Sequence, residues 1–150
     1  MSNIKQLEMV AELERKREQE CAQYYNQAKT HLLANQQKLS GLENYRLDYL
    51  RNIRAKASDG IEAKTLNQHH QFVAQLDKAC EQQIQVINQS VLVTDQRKKM
   101  WLAQQQKYKA IAQLIEKKQL ENKQRADKLE QKMFDEFANQ RTARNMMQSR

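Results

Sequence analysis

Proline is absent from all 150 residues, and glycine occurs only at Gly41 and Gly60. These two residue types are the main local breakers of regular structure. A chain folded into many short elements needs many turns, so that architecture is excluded. Aromatic residues are also scarce: Phe, Trp and Tyr total nine. With 39% hydrophobic residues, the chain lacks the material for a thick core but has enough for a narrow seam between two helices. Two cysteines, Cys21 and Cys80, make no disulfide framework and fit a reducing compartment. No apolar run approaches the roughly 20 residues that a spanning helix requires. The N-terminus alternates Lys and Glu from Lys5 onward with no hydrophobic signal core. These absences lead us to expect a cytoplasmic protein without membrane insertion.

What is present favours helix. Gln occurs 23 times and charged residues make up 29% of the chain; Gln, Lys, Glu, Arg, Ala and Leu all have high helix propensity. Polar, Gln-rich chains often stay unfolded, but here the apolar residues recur at helical spacing. The turn residues cluster once, at Ala57-Ser58-Asp59-Gly60. Gly60 can adopt a left-handed conformation at low cost, and Asp59 with Glu62 has capping-box spacing. The apolar phase runs on through Gly41, from Leu39 to Leu42, so Gly41 is expected inside a helix.

These signals predict an all-α fold: two long helices forming an antiparallel coiled-coil hairpin with a projecting C-terminal helix. The chain reads as a single coiled-coil domain over 1–150, with helix one at about 4–57, the turn at 58–62 and helix two at about 63–144. In helix one, a heptad frame alternates between a row through Ile4, Tyr25, Leu32, Leu39 and Ile53 and a row through Leu7, Cys21, Ala28, Leu42 and Tyr49. Glu14, Glu18, Asn35 and Arg46 interrupt this frame and are expected to weaken it. In helix two the clearest row is Leu66, Val73, Cys80, Ile87, Thr94, Trp101, Tyr108 and Ile115, flanked by Leu76, Ile84, Val91, Ile111 and Ala112. A repeat of seven implies left-handed supercoiling. Folding at Gly60 places residues whose numbers sum to about 119 opposite one another. Residues beyond about 118 then have no partner and project alone. Both cysteines fall on the seam and read as small core hydrophobes.

No catalytic chemistry is legible. There is no Gly-rich phosphate loop and no nucleophile elbow, and Cys and His lack zinc spacing. His31, His69 and His70 read as residues of a solvated face; adjacent His69 and His70 point about 100° apart on a helix. No cofactor or metal is expected, and the chain is expected not to be an enzyme. The net charge of +8 is uneven. Between 97 and 118 the chain carries Arg97, Lys98, Lys99, Lys107, Lys109, Lys117 and Lys118 against Glu116 alone, a net of +6. No nucleic-acid-binding module accompanies this patch, so no nucleic-acid partner is expected.

Several segments carry a family resemblance. Leu42-Glu-Asn-Tyr45-Arg-Leu-Asp-Tyr49, the turn Asp59-Gly60-Ile61 and Phe72-Val-Ala-Gln-Leu76-Asp-Lys-Ala79 resemble FliJ, the stalk protein family of the bacterial flagellar export apparatus. Lys132-Met-Phe-Asp-Glu-Phe137-Ala is similar to the family's closing Lys-Met-Asp-Glu-Phe-Ala pattern, with Phe134 interrupting the order. The resemblance covers nearly the whole chain. It implies an antiparallel two-helix coiled coil similar to the shaft of rotary ATP synthases. The end bearing the termini would enter the hexameric export ATPase and promote its assembly and activity. The hairpin would also contact the transmembrane export gate, and export chaperones are possible further partners. The family's gate-binding surface corresponds here to Leu42, Tyr45, Tyr49, Phe72, Leu76 and Ala79, of which Tyr45 and Phe72 suit contact best. Leu42, Tyr49 and Leu76 also occupy seam-like positions. Candidate ATPase contacts are Lys98, Lys99, Trp101, Lys117, Lys118 and Arg125, with Trp101 read first as a seam residue. The implied location is peripheral, at the cytoplasmic face of the inner membrane. The alternatives are the equivalent stalk of a virulence type III secretion system and a generic helical-hairpin scaffold or RNA-binding protein.

Overall fold

The computed structural model describes residues 2–149. Among them there are two elements, both helical: α1, Ser2–Ser58, and α2, Ala63–Gln148. Fifty-seven residues of α1 pass through Gly41 without interruption, as the shortage of breakers requires. α2 continues to Gln148 rather than stopping near 144, because Asn145, Met146 and Met147 offer nothing that ends a helix. Gly60 takes φ +88°, the left-handed region that a Cβ disfavours. Backbone bonds from Asp59 N to Lys56 O (3.1 Å) and from Gly60 N to Ala57 O (3.2 Å) close the end of α1, and Ser58 Oγ donates to Ala55 O.

The chain divides into two compact units. One comprises Glu18–Ala103 and the other Met1–Arg17 with Gln104–Arg150. Within the unit Glu18–Ala103 the helices run antiparallel, as residue pairs across the seam show. Glu18 meets Trp101, Asn35 meets Gln83 and Tyr49 meets His69; each pair of numbers adds to 118 or 119. Buried Ala28, Ile53 and Leu76 form the apolar centre of this seam, with Leu66, Val73, Cys80, Ile87 and Trp101 half-buried along the expected row. Cys21 and Cys80 are free and half-buried.

The second seam row of α2 differs from the expectation. Ile84 and Val91 are exposed, while Gln83 and Ser90, each one position earlier, are buried; Thr94, on the first row, is buried as its place there requires. A small or amide side chain here lets the backbones approach and supplies a bond. Asn35 Nδ2 donates to Ser90 Oγ (3.1 Å), and Gln83 Nε2 donates to Asn35 O (2.9 Å). Thr94 Oγ1 donates to the carbonyl of Ser90 (2.7 Å). The polar interruptions of α1 are therefore not simple weak points. Glu18 accepts from the Trp101 indole (3.3 Å), and Arg46 bonds across to Asp77. No buried side-chain N or O among the described residues lacks a partner, as native packing demands.

In the unit Met1–Arg17 with Gln104–Arg150, Glu14 is buried and is the hinge of a small network. Arg17 Nη1 donates to Glu14 Oε1 (3.1 Å), and Gln104 Nε2 donates to the Glu14 carbonyl (3.2 Å) and to its carboxylate. Next to this network, Arg15 donates to Glu12 and holds that exposed carboxyl below its ordinary range. Ile4, Leu7, Ala11, Ile111, Ala112 and Ile115 are half-buried. Every residue from 119 to 149 is exposed.

With so little core, stability rests on few side chains. Leu76→Ala is expected to cost about 2–5 kcal/mol, whereas Leu92→Ala, at an exposed site, should stay within about 0.5 kcal/mol. Urea unfolding followed by circular dichroism measures both. Gly60→Ala should lower the midpoint more mildly, by about 1 kcal/mol, because its positive φ is strained for any Cβ.

Candidate functional site

In the unit Glu18–Ala103, three aromatic residues gather in the turn-proximal half of the seam. Tyr45 and Tyr49 lie one helical turn apart on α1, and Phe72 stands opposite on α2. The Tyr49 and Phe72 ring centroids are 4.7 Å apart, those of Tyr45 and Phe72 are 6.3 Å apart and nearly perpendicular, and those of Tyr45 and Tyr49 are 6.5 Å apart. These are favourable aromatic geometries. Tyr45 remains 53% exposed, while Phe72, Tyr49, Leu42 and Ala79 are half-buried. Leu76 is buried and contributes to the site only by packing beneath it. Of the six residues named from sequence, three are thus in one aromatic cluster, with Tyr45 the most accessible.

Two residues that the sequence reading placed elsewhere complete this region. His69 is not on a solvated face: it is half-buried, its Nδ1 lies 2.5 Å from the Tyr49 hydroxyl and its ring is 5.6 Å from that of Tyr49. Its position seven residues before buried Leu76 was the available signal. His70 and His31 are exposed. Arg46, expected as a weak point of the seam, forms an ion pair with Asp77, which crosses from α1 to α2 close to the cluster. Asp77 lies one helical turn beyond the position that faces Arg46, so the facing rule alone does not single the pair out.

The basic candidates do not form one site. Lys98, Lys99 and Trp101 belong to the unit Glu18–Ala103, and Lys117, Lys118 and Arg125 to the other. Trp101 is a seam residue, stacked on Tyr25 at 5.6 Å and bonded to Glu18. Lys98, Lys99, Lys117 and Arg125 are exposed and Lys118 is half-buried. Farther along α2, Leu129, Met133, Phe134 and Phe137 leave an open apolar surface; three of them come from the closing motif or its flank. Among the described residues, no group of three or more His, Cys, Asp or Glu is placed to hold a metal. No helix among them is long and apolar enough to cross a membrane.

Comparison with known proteins gives this arrangement a context. The family model described as "Flagellar FliJ protein" matches residues 3–147. A protein of Escherichia coli (strain K12) named "Flagellar FliJ protein" is 29% identical over 103 residues, which cover 69% of this chain and 70% of the relative. No solved structure matches the chain significantly. The matched span takes in the aromatic cluster, the turn and the exposed apolar stretch of α2, and on that extent the chain belongs to the flagellar FliJ family.

Proposed function

We propose that this chain is a non-enzymatic central stalk of the flagellar protein export apparatus. In this reading the two helices form one antiparallel coiled-coil hairpin, and α2 beyond about residue 118 projects as a helix not covered by α1. The termini-bearing end inserts into the hexameric export ATPase and promotes its assembly and activity. The chain works at the cytoplasmic face of the inner membrane, and export chaperones are additional partners.

Membership of the flagellar family supports the setting. The observation that carries the gate-binding part is the partly exposed cluster of Tyr45, Tyr49 and Phe72. Aromatic side chains combine large apolar area with a polar handle, and such residues dominate the energetics of protein interfaces. Tyr45 is held by its neighbours yet half open to solvent, so a partner gains contact area without ordering a mobile side chain. Leu42 and Ala79 extend the surface, and Leu76 supports it from below.

The ATPase contacts suit a different chemistry. Exposed Lys98, Lys99, Lys117 and Arg125 make weak individual ion pairs with acidic partners, which permits a shaft to shift between equivalent subunits. Trp101 acts in this reading by stiffening the helix pair.

Two outcomes test the proposal. The purified chain should increase hydrolysis by the cognate export ATPase and co-purify with it; no effect on hydrolysis and no association would contradict the stalk role. Tyr45→Ala with Phe72→Ala should weaken binding to the cytoplasmic region of the export gate by roughly tenfold or more, the effect of losing one or two interface anchors, while the helical circular dichroism signal persists. Undiminished gate binding by that double variant would remove the patch assignment and leave the ATPase result standing.

A further inference from the structure

The seam row of α2 has a neighbour that the proposed function does not use in full. Phe72, Ala79, Val86, Val93 and Met100 recur every seven residues, each one position before a seam residue. Phe72 and Ala79 are half-buried, but Val86, Val93 and Met100 are 40%, 42% and 58% exposed. On α1 the facing rim also repeats at seven: Tyr24, His31, Lys38 and Tyr45, all exposed. A groove of about 490 Å³ lies between the rims, floored by the small residues Ala28 and Ser90 and walled by Val86, Val93 and His31. Arg97 closes one end. It donates to the Tyr24 carbonyl (3.0 Å), and its guanidinium lies 5.8 Å from the Tyr24 ring centroid.

The charge pattern of this face is unlike the rest of the chain. From Gln82 to Thr94, α2 carries no charged residue, and from 21 to 37, α1 carries only Lys29. Asp77, Glu81, Asp95 and Lys98 fall on the opposite flank of α2 at 100° per residue. The groove's outer edge on α2 is a row of glutamines: Gln75, Gln82, Gln89 and Gln96. A seven-residue apolar period is complementary to another helix rather than to an extended peptide. The cations of this face are Lys38 and Arg97, and Arg97 is engaged by Tyr24; so sparse a charge suits neither nucleic acid nor a strongly acidic protein.

We infer that this face is a self-association surface, on which two copies of the chain pack antiparallel to make a four-helix bundle. The second copy is the occupant because it supplies the matching element: an apolar heptad row edged with glutamine. Two copies of a +8 chain repel over most of their surfaces; here they meet without juxtaposed cations. Opposed about Val86 and His31, Arg97 of one copy falls at the level of Gln75 of the other, and Lys38 at the level of Tyr24. The row from Phe72 to Met100 is about 42 Å long, and two adjacent helices are about 20 Å wide. The resulting patch of roughly 800 Å² per copy matches a standard specific interface. The contact is isologous, so it closes as a two-fold dimer.

Sedimentation velocity of the full chain over a range of concentrations tests this. The mass should rise from 17.8 kDa to twice that value, and added salt should strengthen the dimer by screening the net charge. Val86→Lys with Val93→Lys should return the mass to the monomer with the helical signal intact. Gln82→Lys with Gln89→Lys, at exposed polar sites that cannot disturb the seam, should weaken the dimer in the same direction. Leu92→Lys, on the outward face (69% exposed), should leave it unchanged. A monomer at every concentration overturns the inference. So does a dimer that survives both double variants, or one that Leu92→Lys dissolves equally well.

Discussion

A chain without proline and with one usable turn glycine can bury apolar surface only by laying one helix against the other. In each of the two compact units, stability is therefore concentrated in a single strip between α1 and α2. That strip is narrow enough that no side chain among the described residues is completely removed from solvent. In such a place polar groups are cheaper to bury than in a thick core, because water remains close by. They also do something that leucines cannot. Asn35 with Gln83 and Ser90, Glu18 with Trp101, and Glu14 with Gln104 each bond well in one alignment only. A polar residue in a coiled-coil seam is a known means of fixing register at some cost in stability, and these side chains occupy the positions where that role is exercised.

Much of this architecture is visible in the residues themselves. The turn at Gly60 follows from the scarcity of breakers, and the row from Leu66 through Trp101 follows from apolar spacing. The second row was not legible, because its buried members are Gln83 and Ser90 while neighbouring Ile84 and Val91 face solvent. Hydrophobicity alone assigns those four residues to the wrong faces. Helical phase does better: a row stepping by seven from His69 through Leu76 and Gln83 to Ser90 has one environment regardless of polarity. His69 was misplaced for the same reason. The aromatic cluster was legible in part, since the sum of 119 sets Tyr45 and Tyr49 beside Phe72 at the rim of the seam, while its role as a binding surface came only from family resemblance. Partial exposure also follows from that rim position, but not that Tyr45 is open while Phe72 is half-buried.

The same thin strip determines what kind of work the molecule is suited to. Two packed helices leave both flanks open, and specificity must come from how side chains are distributed along them. One flank of the unit Glu18–Ala103 bears charge, including the Arg46–Asp77 pair. The other bears an uncharged apolar row that begins within the Tyr45–Phe72 cluster and runs to Met100. A chain with distinct flanks can engage different partners from one short stretch of sequence, and partners that share Phe72 compete. Regulation by such competition needs no conformational change within the chain itself.

Everything said about seam, cluster and flank depends on α1 and α2 facing each other in the antiparallel register around a sum of 119. The most direct measurement is a pulsed electron paramagnetic resonance distance between spin labels at exposed positions 44 and 75, in a chain whose two cysteines are replaced by alanine and which is diluted with unlabelled protein. The antiparallel pairing predicts a single narrow distance, set by an interaxial separation of roughly 8–10 Å plus the two label arms. A broad distribution, or a separation near the roughly 46 Å that 31 residues span along one continuous helix, would contradict it.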